Sequence, residues 1–197
     1  MGRRVVQEER RLQIIEALFS CLMEKPFKET SIKDIAKAAG VNHGVLHYYF
    51  TGKEEILLTF LDHMLLKYKG EFYEYMSAHT PEGAPARQVI SEMFSFVNRR
   101  ITLDRRLSRI FVEIWEIGLY EKKVRVKLKA VYREWIRSVQ AVIAGAVKDE
   151  IIARRMSTAV VAFLEGMSML SVILEQSKEE SAATLLAFQE RIIEMLD

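Results

Sequence analysis

The sequence predicts an all-α fold of about nine helices, with an N-terminal three-helix helix-turn-helix domain and a C-terminal helical bundle that dimerises. Three observations carry this. Apolar residues recur at steps of three and four along nearly the whole chain, the period of a helix with one buried face. Three prolines and nine glycines in 197 residues are few, which suits long helices joined by short turns and not a many-stranded sheet. No segment alternates persuasively with the period of two that a strand requires. The expected division is residues 1–50 and 51–197.

Each element has its own signal. Leu12, Ile15, Phe19 and Leu22 mark a first helix from about Val6 to Met23; Pro26 ends it, and Phe27 plugs the small core. Ser31 with Asp34 is a cap signal for a short helix carrying Ile32, Ile35, Ala36 and Ala39, which Gly40 closes. Asn42 caps a second short helix that turns Val45, Leu46 and Tyr49 inward. Thr51 with Glu54 reads as a capping box opening a long helix through Ile56, Phe60, Met64 and Tyr68 to about Met76. Thr80-Pro81-Glu82-Gly83-Ala84-Pro85 is a loop. Five further helices follow over about 86–100, 104–118, 121–147, 155–176 and 179–196.

Composition narrows the function. The net charge is +2, so any nucleic-acid contact must be local. A single cysteine, Cys21, rules out an internal disulfide or a multi-thiolate metal site, and its apolar helical setting reads as a small buried hydrophobe. The basic start Met1-Gly2-Arg3-Arg4 is followed by glutamates and not by an apolar signal segment. The longest apolar stretch, Ala159–Leu174, contains Glu165 and falls short of the roughly 20 residues of a membrane span. A soluble cytoplasmic protein with no membrane partner is expected. No G-x-S-x-G and no Gly-rich phosphate loop occurs. His43 and His47 lie one turn apart, but no carboxylate or thiolate joins them in their short helix. The expectation is no enzyme, no catalytic residue, no metal and no cofactor.

The two short helices carry the chemistry. Ala36 supplies the small residue where they cross, and Gly40 supplies the bend. Ile35, Ala39, Val41, Leu46 and Tyr49 then take inward positions, leaving Asn42, His43, Gly44, Val45, His47 and Tyr48 along the other side of the second helix. A solvated face would carry Glu and Lys. This one can donate to phosphates or touch base edges in a major groove. Lys33, Lys37 and Lys53 flank the unit, with Arg3, Arg4, Arg10 and Arg11 on the N-terminal arm and first helix. Residues 1–53 hold nine Lys/Arg against six Asp/Glu, a modest basic footprint that suits two copies acting together. Spacing alone leaves open an αα-hairpin with no partner.

Residues 27–57, FKETSIKDIAKAAGVNHGVLHYYFTGKEEIL, resemble the N-terminal signature of the TetR/AcrR family of bacterial transcriptional regulators. T-S-I-K-D-I-A resembles that family's second helix, A-G-V-N-H-G-V-L-H-Y-Y-F its turn and recognition helix, and T-G-K-E-E-I-L the entry to its fourth helix. The body is similar only in length and helix count. The resemblance implies an all-α homodimer that binds a double-stranded DNA operator. It implies a C-terminal domain that takes a small effector and dimerises through its last two helices. His43, Gly44 and Val45 fall where the family contacts bases. His47, Tyr48 and Tyr49 fall on its aromatic run, which touches phosphates and bases, and His47 stands where tyrosine is commonest. Lys53 falls on a phosphate-binding lysine, and Ser31 and Lys33 on backbone-contacting positions. The implied function is a repressor released from its operator by a small, largely apolar effector; a helical DNA-binding protein without an effector is the alternative.

In the body, Phe72, Tyr73, Met76, Met93, Phe94, Phe96, Phe111, Trp115, Tyr132, Trp135, Met167 and Met169 read either as bundle core or together as the lining of an effector pocket, since adaptable Met and broad aromatics serve both; Met93, Phe96, Phe111, Trp115, Tyr132, Trp135 and Met167 are the effector candidates. Glu113, beside Arg109 and Trp115, reads as a solvated ion pair or a buried ligand anchor. The basic run from Lys122 to Lys129 reads as a solvated face or a second DNA contact. The helix at 155–176 is apolar almost all round and so needs burial on two sides. With the last helix it offers Phe163, Gly166, Met167, Leu170, Leu174, Leu185, Phe188 and Ile192 to a four-helix dimer interface. Complete burial within one subunit is the other possibility.

Overall fold

Helical periodicity and cap chemistry produce nine α-helices and no strand among the residues described by the computed structural model, which covers 2–195, with side chains from Val5 onward. They are α1 (Gly2–Glu24), α2 (Ile32–Ala38), α3 (His43–Tyr49), α4 (Lys53–His79), α5 (Ala86–Val97), α6 (Arg105–Tyr120), α7 (Lys122–Ile143), α8 (Glu150–Ile173) and α9 (Lys178–Glu194). The α5 helix runs on into a π-helical turn, Asn98–Thr102. The α8 helix starts at Glu150, earlier than the apolar pattern indicates, because the Asp149 side chain accepts the Ile151 and Ile152 N–H groups as an N-cap. The α4 box also differs: Glu55, not Glu54, accepts from both the N–H and the hydroxyl of Thr51, each at 2.8 Å.

The chain divides into two compact units. The first comprises the residues up to Leu66 with Glu113–Leu128; the second comprises Lys67–Val112 with the residues from Lys129 on. The three-helix head has a small core. The first half of α4 completes that core: Ile56, Leu57, Phe60 and Leu61 are buried with Ile14, Leu18, Ile35, Leu46 and Phe50. Within the same unit α6 and α7 approach closely at Gly118, where an added Cβ would lie 2.7 Å from Leu128 Cδ1. Cys21 is buried, and burial pushes its thiol up.

The second unit has its own core. Ile90, Met93, Phe94, Phe96 and Val97 of α5 meet Val160, Val161, Leu164 and Met167 of α8 and Leu185, Ile192 and Ile193 of α9, with Tyr132 and Trp135 packed against them. The α8 helix has 24 residues, its most apolar 18-residue window has a mean hydropathy of 1.7, and it is long and apolar enough to cross a membrane by length and composition. Its length is therefore no argument against a span. Its inward stripe of Ala153, Val160, Val161, Leu164 and Met167 is buried in the manner of a core helix, while Ala162, Leu170 and Ile173 are exposed.

Candidate nucleic-acid interface

The turn between α2 and α3 is fixed by backbone bonds. Ser31 caps α2, accepting from the Asp34 N–H while the Asp34 carboxylate accepts from the Ser31 N–H. Hydrogen bonds from Lys25 and Ser31 hold that carboxyl well below its ordinary range. At the other end Gly40 adopts φ +63°, its N–H donates to Lys37 O, and the Val41 N–H donates to Ala36 O. This is a Schellman closure, and the positive φ explains why glycine stands there. Asn42 then caps α3, its Oδ1 accepting the Val45 N–H at 2.8 Å.

Side chains from α1 close the C-terminal ends of both short helices. Gln13 Nε2 donates to Ala39 O at 2.6 Å, and the Arg11 guanidinium donates to Tyr49 O while lying 4.1 Å from the Phe50 ring centroid. A cation at a helix C-terminus also complements its dipole. Buried Leu46 anchors α3 from beneath. Its outer side therefore presents Asn42, His43, Gly44, Val45, His47 and Tyr48, all exposed. Val45 is 39% and Tyr48 68% exposed, so Val45 belongs to the outer row and not to the core. The inward placement of Val45 is corrected by the helical step: only Leu46 of the pair can point at α1. Tyr49 is half-buried, with its ring edge-on to Tyr48 at 5.0 Å. His43 and His47 lie Nε2 to Nε2 at 3.3 Å, so one imidazole donates to the other. Lys33 and Lys37 are exposed on α2. The side chains of Arg3 and Arg4 lie outside the described residues.

Lys53 is engaged within the protein. Its Nζ donates to Phe27 O at 2.9 Å and Thr30 O at 3.1 Å and lies 4.6 Å from the Phe27 ring centroid. One of its three N–H donors remains for a phosphate. Glu113 reaches the same turn, accepting the Phe27 N–H, while burial pushes its carboxyl up. This backbone contact is not among the readings the sequence offers for it. In the basic run, Lys127 pairs with Asp62 at 2.5 Å and Arg125 donates to Leu119 O, whereas Lys122, Lys123 and Lys129 are exposed.

The body residues separate. Met93, Phe96 and Met167 lie in the core of the second unit with Tyr132 and Trp135 packed on it, while Phe111 is half-buried outside that cluster and Trp115 belongs to the first unit. The second unit does hold a cavity of about 390 Å³, and none of those seven residues lines it. Phe72, Tyr73 and Met76 of the methionine- and aromatic-rich set do line it. Of the expected dimer residues, Met167, Leu185 and Ile192 are buried in their own subunit. Phe163 and Phe188 stack on each other at 3.7 Å and are half-buried, and Gly166 is half-buried with open space beside it. Leu170 and Leu174 are exposed, beside Ile173 and Leu186.

These features define an all-helical protein that displays a helix-turn-helix with a polar, aromatic outer row. The family model for bacterial regulatory proteins of the tetR family matches residues 14–59. A fatty acid metabolism regulator protein of Bacillus subtilis is 33% identical over 90 residues, a match that spans 44% of this chain and less than half of that regulator's length, also 44%. The HTH-type transcriptional regulator EthR of Mycolicibacterium smegmatis is 28% identical over 203 residues, 93% of this chain and 87% of its own. Among solved structures, the transcriptional regulator FadR from Bacillus subtilis in complex with stearoyl-CoA covers 94% of this chain and 96% of its own, with a TM-score of 0.71 and 20% identity. Residues 14–59 thus match the tetR family of bacterial regulatory proteins, and the chain is similar to an HTH-type transcriptional regulator over most of its length.

Proposed function

We propose that this chain is a cytoplasmic homodimeric repressor that binds a double-stranded DNA operator through α3 and leaves it when a small, largely apolar effector binds the body. The exposed outer row of α3 carries this reading: a helix clamped at both ends and anchored by one buried leucine turns two imidazoles, a phenol and an amide outward. Residues 1–50 serve as the DNA-binding domain, and residues 51–197 bind effector and dimerise. His43, Gly44 and Val45 meet base edges. His47, Tyr48 and Tyr49 contact phosphates and bases, and Ser31, Lys33 and the remaining donor of Lys53 contact the backbone. Leu170, Ile173, Leu174 and Leu186 form the apolar patch that a second copy covers, which sets two recognition helices one or two helical turns of DNA apart.

The test is operator selection from a random DNA library followed by fluorescence anisotropy across a salt series. Wild type is expected to bind a palindromic site with affinity falling steeply with salt. His47→Ala is expected to weaken binding about tenfold, in line with the loss of one charge-assisted or neutral contact. Unchanged affinity of His47→Ala at every salt concentration removes that residue's role.

A further inference from the structure

The cavity of about 390 Å³ in the second unit lies within the size range of small-molecule sites, roughly 300–1,000 Å³. Phe72, Tyr73 and Met76 of α4 wall it, Ala141 of α7 and Gly145 leave it open on the other side, and none of its lining residues is charged. Its polar groups are Thr80 and Ser138, apart from the Tyr73 phenol at the exposed rim. Both hydroxyls already donate their protons within their own segments, Thr80 Oγ1 to Met76 O and Ser138 Oγ to Glu134 O at 3.2 Å. What they can offer a ligand is lone pairs. The cavity also lies where α4 ends at His79 and α7 ends at Ile143. Helix C-termini carry partial negative charge, so they favour donors and cations and disfavour anions. The nearby Lys69 does not supply a free counter-charge, because it pairs with Glu134 at 2.5 Å, and Arg137 pairs with the same carboxylate at 2.6 Å.

We propose that this cavity is the effector site and that it takes an apolar molecule carrying nitrogen-bound hydrogen-bond donors, an amine or an amide, in preference to a carboxylate. The inference rests on the ligand-responsive reading above and assigns that ligand a place and a chemical class. Three probes of equal chain length test it on the full-length protein: octylammonium, octanamide and octanoate, titrated by thermal shift and isothermal calorimetry. Octylammonium and octanamide are expected to bind at least tenfold more tightly than octanoate. Ala141→Phe, which fills the cavity from an exposed position, is expected to weaken both by at least tenfold. Thr80→Val keeps the side-chain shape, removes an acceptor and is expected to narrow the gap between octanamide and octanoate. Equal or tighter binding of octanoate overturns the proposal. So does unchanged binding in both variants when their circular dichroism matches wild type. Operator release is measured separately by anisotropy: binding without release keeps the cavity as a site and removes the effector reading, whereas a lost nitrogen preference leaves operator binding untouched.

Discussion

Glu165 makes the stability of this protein depend on pH with a predictable sign. Its carboxyl sits midway along α8, where burial pushes it from an ordinary 4.5 up to about 7, partly offset by a hydrogen bond from Tyr132. Between those values the folded state holds a proton that the unfolded chain has released. Stability is therefore fully present below about pH 4.5, falls as pH rises through the window, and levels off above about 7. At about 1.4 kcal/mol for each tenfold step in proton affinity, the loss amounts to about 3 kcal/mol. Glu165→Gln keeps the shape and an acceptor for Tyr132 but cannot ionise. It is expected to match wild type near pH 4.5 and to exceed it by up to about 3 kcal/mol at pH 8, or roughly 6–12 °C in melting temperature for a chain of this size. The assay is urea denaturation followed by far-ultraviolet circular dichroism at pH 4.5, 6 and 8. Protein concentration is held fixed because any self-association contributes by mass action. A gap of the same size at all three pH values refutes the reasoning, since a packing difference does not titrate.

Other substitutions probe single contacts. Thr102 is buried in the π-helical turn with its hydroxyl unpartnered; Thr102→Val removes the orphan at constant shape and is expected to raise stability by about 1 kcal/mol, read by thermal melting. Gly118→Val places a branched side chain against Leu128 and is expected to cost about 1–3 kcal/mol in the same assay. Charging the exposed apolar patch with Ile173→Glu and Leu186→Glu together is expected to yield monomers by sedimentation velocity at micromolar concentration, with native helicity. A dimer that survives both charges places the subunit interface elsewhere.

The helices were legible because each needs an apolar stripe of period 3.6 and a start or stop residue, and these are local properties. Ser31, Gly40 and Asn42 could be assigned to their caps and turn from three or four neighbours alone. What local pattern cannot give is which of two apolar sides meets the subunit's own core. The α8 helix is apolar nearly all round, so Met167, Leu170 and Leu174 look alike in sequence, yet Met167 is buried while Leu174 is 58% exposed. The α9 helix repeats the problem: Leu185 turns inward and Leu186 outward. Aromatic and methionine content marked one wall of the cavity, Phe72, Tyr73 and Met76, but not the small residues Ala141 and Gly145 on its other side, because they carry no apolar bulk to notice.

Polar residues distant in sequence show a further limit with a mechanical consequence. Lys53 has the position of a phosphate ligand, and Glu113 lies on an apolar helix flank. Both reach the single turn before α2, Lys53 through the Phe27 and Thr30 carbonyls and Glu113 through the Phe27 N–H. That turn leads directly into Ser31, the cap of α2, and α2 fixes α3 through Gly40. The start of α4 and the second half of α6 thus both hold the turn before α2, one through two carbonyls and the other through an N–H. If either helix slides along the other, one of these bonds must break or the turn must follow it, and a moved turn carries α2 and α3 along. Contacts of this kind join residues 26 and 86 positions apart, so no local pattern around Lys53 or Glu113 could reveal them.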